Sequence, residues 1–521
     1  MSSGRSTAFA MSGILISRFI GFLREMAIAS AFGLSPHVDA FYAAYRIPNF
    51  FRTLLGEGGL SAAYVPVLSR TLVTGGLPAS VHLSRAFFGI VLAVSGAISL
   101  LGVVFSSSIL KVFAPGFSPE VHGLAAGLMQ ITFPFFAFLV MGAWAMGILH
   151  VHGRFFLPAI APIFLSGAQI GFLLLLGPSF SAGPIYALAW GVLVGGGLQF
   201  LVQVPALVRE GYTIRPVWKP AMAEIRRIGT LFVPVVIALG VNQLNSLVDT
   251  ILASFLPQGS LANLGYASRL YTFPIGLFGA SIAMVALPSL SKIATPDSAP
   301  DVRLLTRVQG WWLRILFFIL PSAAFLSVFS GEVVGLVYER GAFGSREVEQ
   351  VGEVLLCYAI GIPAFGSVKI LVSGFHSLQD TRTPMLRAIV STLANVVLSV
   401  AMMQFLGVRG IALATSLAGY LLVFLLVRDI SRKGGGAVFD ASIIWSVGKL
   451  LLACAAMVVL GALAWEGGLA WHGGDNFVIR MVRMCLLVAG MGLIYLLLTW
   501  TTGVRGGRPF LKDRLDGGSE S

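Results

Sequence analysis

The chain has 521 residues, of which 57% are hydrophobic and only 11% are charged. Soluble domains carry about 25% charged residues, so this composition excludes a soluble protein and predicts an all-α polytopic membrane protein. The formal net charge of +13 does not indicate a nucleic-acid partner. The basic residues occupy particular loops rather than one block, which is typical of the positive-inside rule.

About fourteen apolar segments are long enough to cross a membrane as helices, since a span needs roughly 20 residues. The first apolar run contains Arg18 and Arg24 and no cleavage site follows it, so we expect no cleavable signal peptide. Basic residues concentrate in alternate loops and in both tails, which predicts cytoplasmic termini. The predicted spans are 8–32, 38–70, 84–113, 121–150, 157–177, 184–208, 226–256, 261–291, 304–330, 347–377, 385–406, 409–430, 442–465 and 477–502.

Predicted spans 1 and 2 carry charges that a membrane span normally excludes. An ionised group costs several kcal/mol at the bilayer centre, so such groups usually face a bundle interior or a water-filled cavity. Arginines outnumber carboxylates in this set, which predicts a positively charged cavity within the membrane. The set comprises Arg18, Arg24, Arg46, Arg52, Glu25, Asp39 and Glu57.

The acids of this set suggest a gate or a structural tie. Asp39, Arg46 and Glu57 recur at steps of seven and eleven residues, which return to nearly the same helical face. Pro48 and the glycines near Glu57 interrupt the helix, so span 2 can bend beside the cavity. We interpret Asp39, Glu57 and Glu25 as gating or structural acids. The alternative for Asp39 and Arg46 is a simple ion pair that joins two helices.

Arginine suits a phosphate-bearing ligand, because its planar guanidinium can hold phosphate oxygens through two parallel hydrogen bonds. Serine and asparagine side chains can add hydrogen bonds to neutral sugar or peptide groups. We therefore predict a site that surrounds a pyrophosphate. Its predicted substrate-binding residues are Arg18, Arg24, Arg52, Arg269, Ser17 and Asn49.

The chain contains an internal repeat. Residues 28–46 align without a gap over residues 251–269, and residues 147–158 align with residues 374–384 after one gap. The offset covers six spans, so both copies have the same orientation and a pseudo-twofold axis along the membrane normal is expected. The predicted domains are 1–220 for the first lobe, 221–433 for the second lobe, 434–503 for spans 13 and 14, and 504–521 for a cytoplasmic tail.

Span 7 has a different polar character from its counterpart, span 1. It carries Asn242, Gln243, Asn245 and one acid in its body, Asp249. A carboxylate there is costly unless it holds a proton or a cation, and oxygen-rich side chains suit sodium. We therefore predict Na⁺ or H⁺ as the coupling ion at Asp249. The alternative is an ion pair with Lys369 or another basic residue.

Signatures of enzymes are absent from the sequence. No HExxH, GxSxG or P-loop motif occurs. Cys357, Cys454 and Cys485 lie in apolar segments without metal-ligand spacing. We predict no enzyme activity, no catalytic residues, no metal site and no cofactor other than a coupling ion.

Three long motifs carry a family resemblance. Spans 1 and 2 contain SRxxGFxRE and DAFxxAxRIPNFFRxLxGEGxxSAAxVP, and span 8 contains YASRLYxFPxGxxGxxxAxxxLPSLS. These motifs, and essentially the whole chain, resemble the lipid II flippases (MurJ/MviN-like) of bacterial peptidoglycan synthesis. That family lies within the larger superfamily of multidrug, oligosaccharidyl-lipid and polysaccharide exporters.

The resemblance implies two lobes of six helices plus two C-terminal helices, with alternating access in the bacterial inner membrane. The implied activity moves lipid II, an undecaprenyl-pyrophosphate-linked disaccharide pentapeptide, from the cytoplasmic to the periplasmic leaflet. We expect a monomer whose partners are lipid II, the bilayer and other cell-wall synthesis proteins. By motif match, the central residues are Arg18, Arg24, Arg52, Arg269, Asp39 and Glu57.

Some family members carry an acid three residues after the span 8 arginine, where this chain has Thr272, so any role of that acid does not carry over. Some members also bind sodium in the second lobe. Asp249 in span 7 matches that site, and Asp380 at the start of span 11 is a weaker candidate. Spans 13 and 14 are expected to form a groove for the lipid tail or to add stabilising bulk.

Two other functions are compatible with a membrane protein of this composition. A cation-coupled exporter of a drug or of another lipid-linked oligosaccharide would need unpaired carboxylates for a cationic cargo, and the arginine excess disfavours it. A non-transporting scaffold that recruits cell-wall enzymes would have no need for arginines inside its spans.

Overall fold

The computed structural model describes residues 3–52, 59–218, 222–291, 302–434, 441–471 and 476–503. Within these ranges the chain is built from helices, and its β pairing is limited to an isolated bridge between Arg340 and Phe343. The prediction of an all-α protein is confirmed. The chain forms two compact units, Met1–Ala262 with Arg340–Phe343, and Asn263–Glu339 with Gly344–Ser521.

The helices of the first unit follow its long apolar runs, and prolines lie at many of their beginnings. A π-helical segment (Phe172–Leu176) and a 3₁₀ turn (Gly177–Ser179) continue α8, and α12 begins in this unit and continues into the second. The helices are α1 (Ser3–Phe32), α2 (Pro36–Phe51), α3 (Ser61–Val104), α4 (Ser106–Phe113), α5 (Pro119–Thr132), α6 (Phe135–Val151), α7 (Phe156–Ile160), α8 (Pro162–Gly171), α9 (Pro184–Leu201), α10 (Val204–Arg209), α11 (Met222–Ser254) and α12 (Ser260–Pro274).

The second unit is likewise helical. A π-helical segment (Ile275–Gly279) joins α12 to the next helix, and another (Trp465–Leu469) extends α19. The helices of this unit are α13 (Ala280–Ser291), α14 (Val302–Val328), α15 (Ser330–Tyr338), α16 (Ser345–Ser377), α17 (Arg382–Leu406), α18 (Val408–Gly434), α19 (Ala441–Ala464) and α20 (Phe477–Thr501).

Eleven helical stretches within the described ranges are long and apolar enough to cross a membrane. They coincide with predicted spans 3 to 6 and 8 to 14. The three other predicted spans fall on α1, α2 and α11, which carry the intramembrane charges identified in the sequence. The polytopic membrane fold is therefore confirmed, and its charged helices are the ones that the sequence singled out.

The boundary between predicted spans 2 and 3 differs from the prediction. α2 ends at Phe51, whereas α3 continues through the predicted loop at 71–83. The turn is made inside α3 at Gly76, whose φ of 69° breaks the helical conformation just before Pro78. Glycine adopts positive φ without a steric penalty, so a kink replaces a loop here.

Aromatic side chains form the core of the first unit between α3 and α6. Trp144 is fully buried, its Nε1 donates to the Ser84 carbonyl at 3.2 Å, and its ring centroid lies 4.4 Å from that of Phe88. Gly147 lets α6 approach closely, since a Cβ there would lie 2.8 Å from Tyr64. Between helices in lipid, such close packing supplies the attraction that the hydrophobic effect cannot.

The ends of two corresponding helices support the predicted repeat. α6 ends in a Schellman motif, in which Gly153 has a φ of 71° and the Arg154 N–H donates to the Leu149 carbonyl at 2.8 Å. The Gly153 N–H completes the motif by donating to the His150 carbonyl at 3.0 Å. The motif fixes the direction in which the chain leaves α6 and so determines where Arg154 lies.

α16 ends with the same motif at the aligned position. Gln379 adopts a φ of 57°, and the Asp380 N–H donates to the Phe375 carbonyl at 3.0 Å. A positive φ is uncommon for a residue other than glycine. Its occurrence where the first copy has a glycine indicates that the backbone geometry is shared even though the side chain is not.

The residues after these motifs form ion pairs of opposite polarity in the two copies. In the first copy, the Nε of Arg154 donates to the Oε1 of Glu210 at 3.0 Å. In the second copy, Asp380 accepts from Lys433. Glu210 and Lys433 are separated by the same 223 residues that separate residues 28–46 from 251–269. The repeat therefore keeps the tie between two helix ends and reverses its charges.

We expect Gly102→Ala to destabilise the first unit, because the added Cβ would lie 2.2 Å from the ring of Phe133. Overpacking of this kind costs about 1–3 kcal/mol. The midpoint of thermal unfolding of the purified protein in detergent measures the effect. Gly96→Ala on the same helix is the matched control, because its Cβ would have nothing within 4 Å. Equal midpoints for the two variants would contradict the packing described here.

Candidate functional site

Arg24 is a predicted substrate-binding arginine on α1. Its side chain is 13% exposed, and its Nη2 lies 2.5 Å from Oε1 of Glu25. The other carboxylate oxygen of Glu25 accepts from the Tyr42 hydroxyl at 2.7 Å. The Nε of Arg24 is buried and has no hydrogen-bond partner among the described residues. Glu25 thus orients the guanidinium from one side and leaves one buried donor unsatisfied.

Ser17 and Arg18 precede Arg24 on α1. Arg18 is exposed and Ser17 is half-buried. Arg18 lies six residues before Arg24 on the same continuous helix. In an α-helix each residue rises 1.5 Å, so the backbones of the two arginines lie about 9 Å apart along the axis. Six residues also turn the helix by about 600°, so the two side chains leave it about 120° apart, which agrees with the greater exposure of Arg18.

Arg52 lies at the end of α2 beside Asn49. Its Nε donates to the Oδ1 of Asn49 at 2.7 Å. Asn49 is predicted to hydrogen-bond a ligand. In the structure its side chain also orients Arg52. Glu57, the third predicted gating acid, lies outside the described residues.

Asp39 is buried and binds backbone rather than another side chain. Its Oδ2 accepts from the Gly259 N–H at 2.6 Å and its Oδ1 from the Ala262 N–H at 2.8 Å. Gly259 directly precedes α12, and Ala262 belongs to its first turn, where N–H groups have no partner within the helix and the helix dipole favours a negative charge. The alternative of an Asp39–Arg46 ion pair is wrong, because the Asp39 carboxylate caps this helix.

Arg46 instead joins α2 to α11. Its Nη1 donates to the Thr250 hydroxyl at 2.7 Å and to the Ser246 carbonyl at 3.2 Å. Arg46 is also the cation whose charge acts on Asp249. The arginine that sequence analysis placed in the cavity therefore acts as a tie between the two helices that carry most of the intramembrane polar groups.

Asp249 lies one helical turn from Asn245 on α11. The Oδ1 atoms of both residues are buried without a hydrogen-bond partner among the described residues. Buried polar atoms are almost always satisfied, so these two acceptors, one turn apart, are the feature of α11 that bears on the predicted coupling ion. The side chain of Asn242 lies outside the described part of the structure.

Asp380 is differently placed, before α17 and outside the membrane spans. Its two oxygens accept from the Thr383 N–H and hydroxyl, at 2.9 and 2.6 Å, and from Lys433. Burial raises the pKa of Asp380, but the hydrogen bonds from Lys433 and Thr383 outweigh it and lower the pKa to about 2. This arrangement favours a helix cap over the cation site for which Asp380 was a weaker candidate.

Arg269 belongs to α12 in the second unit and is exposed. Thr272 follows one turn later, and its hydroxyl donates to the Ser268 carbonyl at 2.7 Å. The threonine therefore satisfies itself on its own helix, as serine and threonine commonly do. No group of three or more His, Cys, Asp or Glu side chains that could hold a metal ion occurs in the described ranges.

Several polar contacts of the structure were not predicted from the sequence. Tyr42 holds Glu25, and a buried cluster in the second unit joins α17 to α18: Asn395 Oδ1 lies 3.2 Å from the Ser399 hydroxyl and 3.5 Å from that of Thr415. Asn395 and Ser399 form an i, i+4 polar pair in an apolar helix. That spacing was the available signal, because polar side chains inside a span usually face protein rather than lipid.

We expect Asp39→Ala to reduce stability by about 1–3 kcal/mol, because it leaves two buried N–H groups unsatisfied. Asp39→Asn retains one acceptor and should cost less. Thermal unfolding in detergent measures both. Glu120→Gln is the control, since Glu120 is an exposed acid in the first turn of α5. An unchanged midpoint for Asp39→Ala would show that this cap does not stabilise α12.

The chain is similar to proteins of one family over most of its length. The family described as lipid II flippase MurJ matches residues 28–480. The probable lipid II flippase MurJ of Vibrio cholerae serotype O1 is 34% identical over 462 residues, covering 87% of each chain. The lipid II flippase MurJ of Burkholderia cenocepacia is 33% identical over 458 residues, again covering 87% of each.

Solved structures also resemble this chain. A lipid II flippase MurJ in an inward closed conformation matches with a TM-score of 0.78 and 26% identity, covering 97% of this chain and 99% of that one. An inward-facing MATE multidrug transporter of the MOP superfamily shares the fold at a TM-score of 0.66 and 14% identity, covering 82% and 98%. With eleven apolar helices, these matches make the protein a multi-pass protein of the bacterial inner membrane. The chain belongs to the lipid II flippase MurJ family.

Proposed function

We propose that the chain flips lipid II from the cytoplasmic to the periplasmic leaflet of the inner membrane. The observation that carries the proposal is the buried guanidinium of Arg24, which Glu25 holds from one side while Nε has no hydrogen-bond partner among the described residues. A cation held in this way inside a membrane helix suits an anionic group, and lipid II carries a pyrophosphate. The names of the relatives support the same substrate.

In this proposal the arginines bind the pyrophosphate and the acids position them. Arg24 is oriented by Glu25, and Arg52 is oriented by Asn49. Each guanidinium can form charge-assisted hydrogen bonds to phosphate oxygens, which are about twice as strong as neutral ones. Ser17 and Asn49 hydrogen-bond neutral parts of the headgroup. The proposed pyrophosphate ligands are Arg18, Arg24, Arg52 and Arg269.

The proposed cycle is alternating access by a monomer, without chemistry on the substrate. The concentration of basic residues in alternate loops and in both tails supports cytoplasmic termini. The lipid tail stays outside the cavity, along α19 and α20, whose outward faces expose apolar residues such as Leu452, Leu463 and Trp500. α20 is fixed to α14 through the Tyr495 hydroxyl, which donates to the Phe317 carbonyl at 2.7 Å. Other cell-wall synthesis proteins are proposed as partners.

Asp249 is the proposed coupling site. Two adjacent unsatisfied acceptors, Asp249 Oδ1 and Asn245 Oδ1, suit Na⁺ or a proton. The nearby charge of Arg46, which joins α2 to α11, gives such an ion a way to act on the charged helices. Binding favours one conformation only if the ion has a higher affinity for it.

We expect Arg24→Ala to abolish lipid II flipping while the protein still reaches the membrane, because the buried guanidinium is lost. Arg24→Lys should restore little activity, since an ammonium is a point charge without the planar fork. The measurement is the leaflet in which lipid II accumulates when a host that depends on the variant is depleted of its own flippase. Lys111→Ala, at an exposed position on α4, is the control. Normal flipping by Arg24→Ala would contradict the proposal.

We expect the conformational equilibrium of the purified protein to depend on sodium or on pH, and Asp249→Asn to weaken that dependence. Headgroup binding should be largely retained, because the arginines are unchanged. Fluorescence from a label on each lobe, titrated with NaCl and with acid, measures the response. Asp380→Asn, which removes an acid outside the spans, serves as the control. A wild type that responds to neither ion would exclude Asp249 as the coupling site.

A further inference from the structure

Two neighbouring helices of the first unit end in the same way. α10 ends in a Schellman motif like that of α6: Gly211 has a φ of 85°, and the Tyr212 N–H donates to the Leu207 carbonyl at 3.0 Å. The Gly211 N–H donates to the Val208 carbonyl, also at 3.0 Å. Both motifs turn the chain sharply at the end of a membrane helix and bring the residues that follow toward each other.

Side chains from the two motifs form one polar network. Arg154 Nε donates to Glu210 Oε1 at 3.0 Å, and His152 Nδ1 lies 3.5 Å from Glu210 Oε2. The other ring nitrogen of His152 lies 3.2 Å from the Tyr212 hydroxyl, which in turn lies 2.5 Å from the Ser80 hydroxyl. The network fixes the positions of both helix ends, so the space between them has a defined shape.

A cavity of about 520 Å³ lies between these ends. It contains two arginines and one carboxylate, so its lining carries a net positive charge. Glu210 engages Arg154 through Nε, the Arg154 side chain is 67% exposed, and Arg209 is also exposed. The lining residues are Gly153, Arg154, Phe155, Phe156, Leu157, Ala206, Arg209 and Glu210.

Two aromatic side chains give this cavity an apolar side. Phe155 and Phe156 are 42% and 43% exposed, although both are large and hydrophobic. They lie where α6 ends and α7 begins, at the same end of the membrane helices as α10. An exposed phenylalanine pair at the end of a membrane helix is suited to contact the acyl chains next to the headgroups.

We propose that this cavity binds the headgroup of an anionic phospholipid from the adjoining leaflet, which the proposed orientation makes the cytoplasmic one. Arg154 and Arg209 bind the phosphate, and Phe155 and Phe156 contact the first carbons of the acyl chains. A soluble phosphate would use the arginines but not the aromatic side. The lipid bridges the ends of α6 and α10, and it stabilises the protein because it binds the folded state.

The second copy of the repeat provides the contrast. Arg432 corresponds to Arg209 by the 223-residue offset and is also exposed. However, the position of Arg154 is occupied by Asp380, whose carboxylate would repel a phosphate. The second copy keeps basic residues near these helix ends, namely Arg382, Arg432 and Lys433, but it has Asp380 in the place of Arg154 and Thr381 in the place of Phe155. It therefore lacks both the Arg154 guanidinium and the aromatic side. Arg432 is thus a matched control for Arg209.

The test uses the full chain, stripped of lipid in detergent and titrated with phosphatidylglycerol, with bound lipid counted by native mass spectrometry. An arginine near a membrane surface contributes about a fivefold change in affinity for anionic lipid. We therefore expect Arg209→Gln to weaken binding about fivefold, and Arg154→Gln with Arg209→Gln on the order of twentyfold. Arg432→Gln should weaken binding less than Arg209→Gln does, because Asp380 takes the place of Arg154 there and Thr381 takes that of Phe155. Zwitterionic phosphatidylcholine should bind weakly to all of them.

Each outcome decides the proposal. Equal binding of phosphatidylglycerol by wild type and Arg209→Gln, or an equal loss in Arg432→Gln, would overturn it. Arg209→Gln keeps the Arg154–Glu210 pair, so a folding defect in the double variant does not affect this comparison. A second arm adds soluble glycerol phosphate as competitor. Displacement of the lipid at concentrations close to those of the lipid itself would assign the cavity to a soluble phosphate instead.

Discussion

The cost of a charge inside a membrane determines how this protein is built. Arginine cannot lose its proton, so each buried guanidinium must be held by a partner or matched by a ligand. Arg46 is held by Thr250 and the Ser246 carbonyl, and joins two helices. Arg24 is held on one side by Glu25, whose other oxygen is taken by Tyr42. The contacts of Arg46 hold two helices together. Those of Arg24 leave its Nε without a hydrogen-bond partner among the described residues.

The acids follow the same constraint. Asp39 is buried and yet has no basic partner in its hydrogen bonds, because the N–H groups at the start of α12 supply both donors. A helix N-terminus thereby replaces a cation at a position where a side-chain pair would need two desolvated charges. Asp249 has no such cap, and its Oδ1 is unsatisfied within the described part of the structure. Both carboxylates need hydrogen-bond donors inside the protein. Asp39 receives two from backbone N–H groups, whereas Oδ1 of Asp249 receives none from the described residues.

Duplication has conserved backbone geometry more strictly than charge. Gly153 and Gln379 both adopt positive φ at the end of corresponding helices. The ion pairs that follow are reversed, with Arg154–Glu210 in one copy and Asp380–Lys433 in the other. An ion pair attracts equally when the acid and the base exchange positions, so both copies keep the contact between the two helix ends. The exchange leaves the net charge of the pair at zero but moves the basic member, and in the first copy Arg154 lines the same cavity as Arg209.

The sequence by itself determined the helical membrane fold, the positions of most spans, the family and the charged helices α1, α2 and α11. Hydrophobic length and the rarity of intramembrane charge are local properties, so they can be read along the chain. Only the tertiary structure decided the partners. Helical periodicity placed Asp39 and Arg46 on one face, but their partners lie 200 or more residues away, at Gly259 and Thr250. Which donor reaches a carboxylate depends on how helices pack, and no spacing within one helix contains that information.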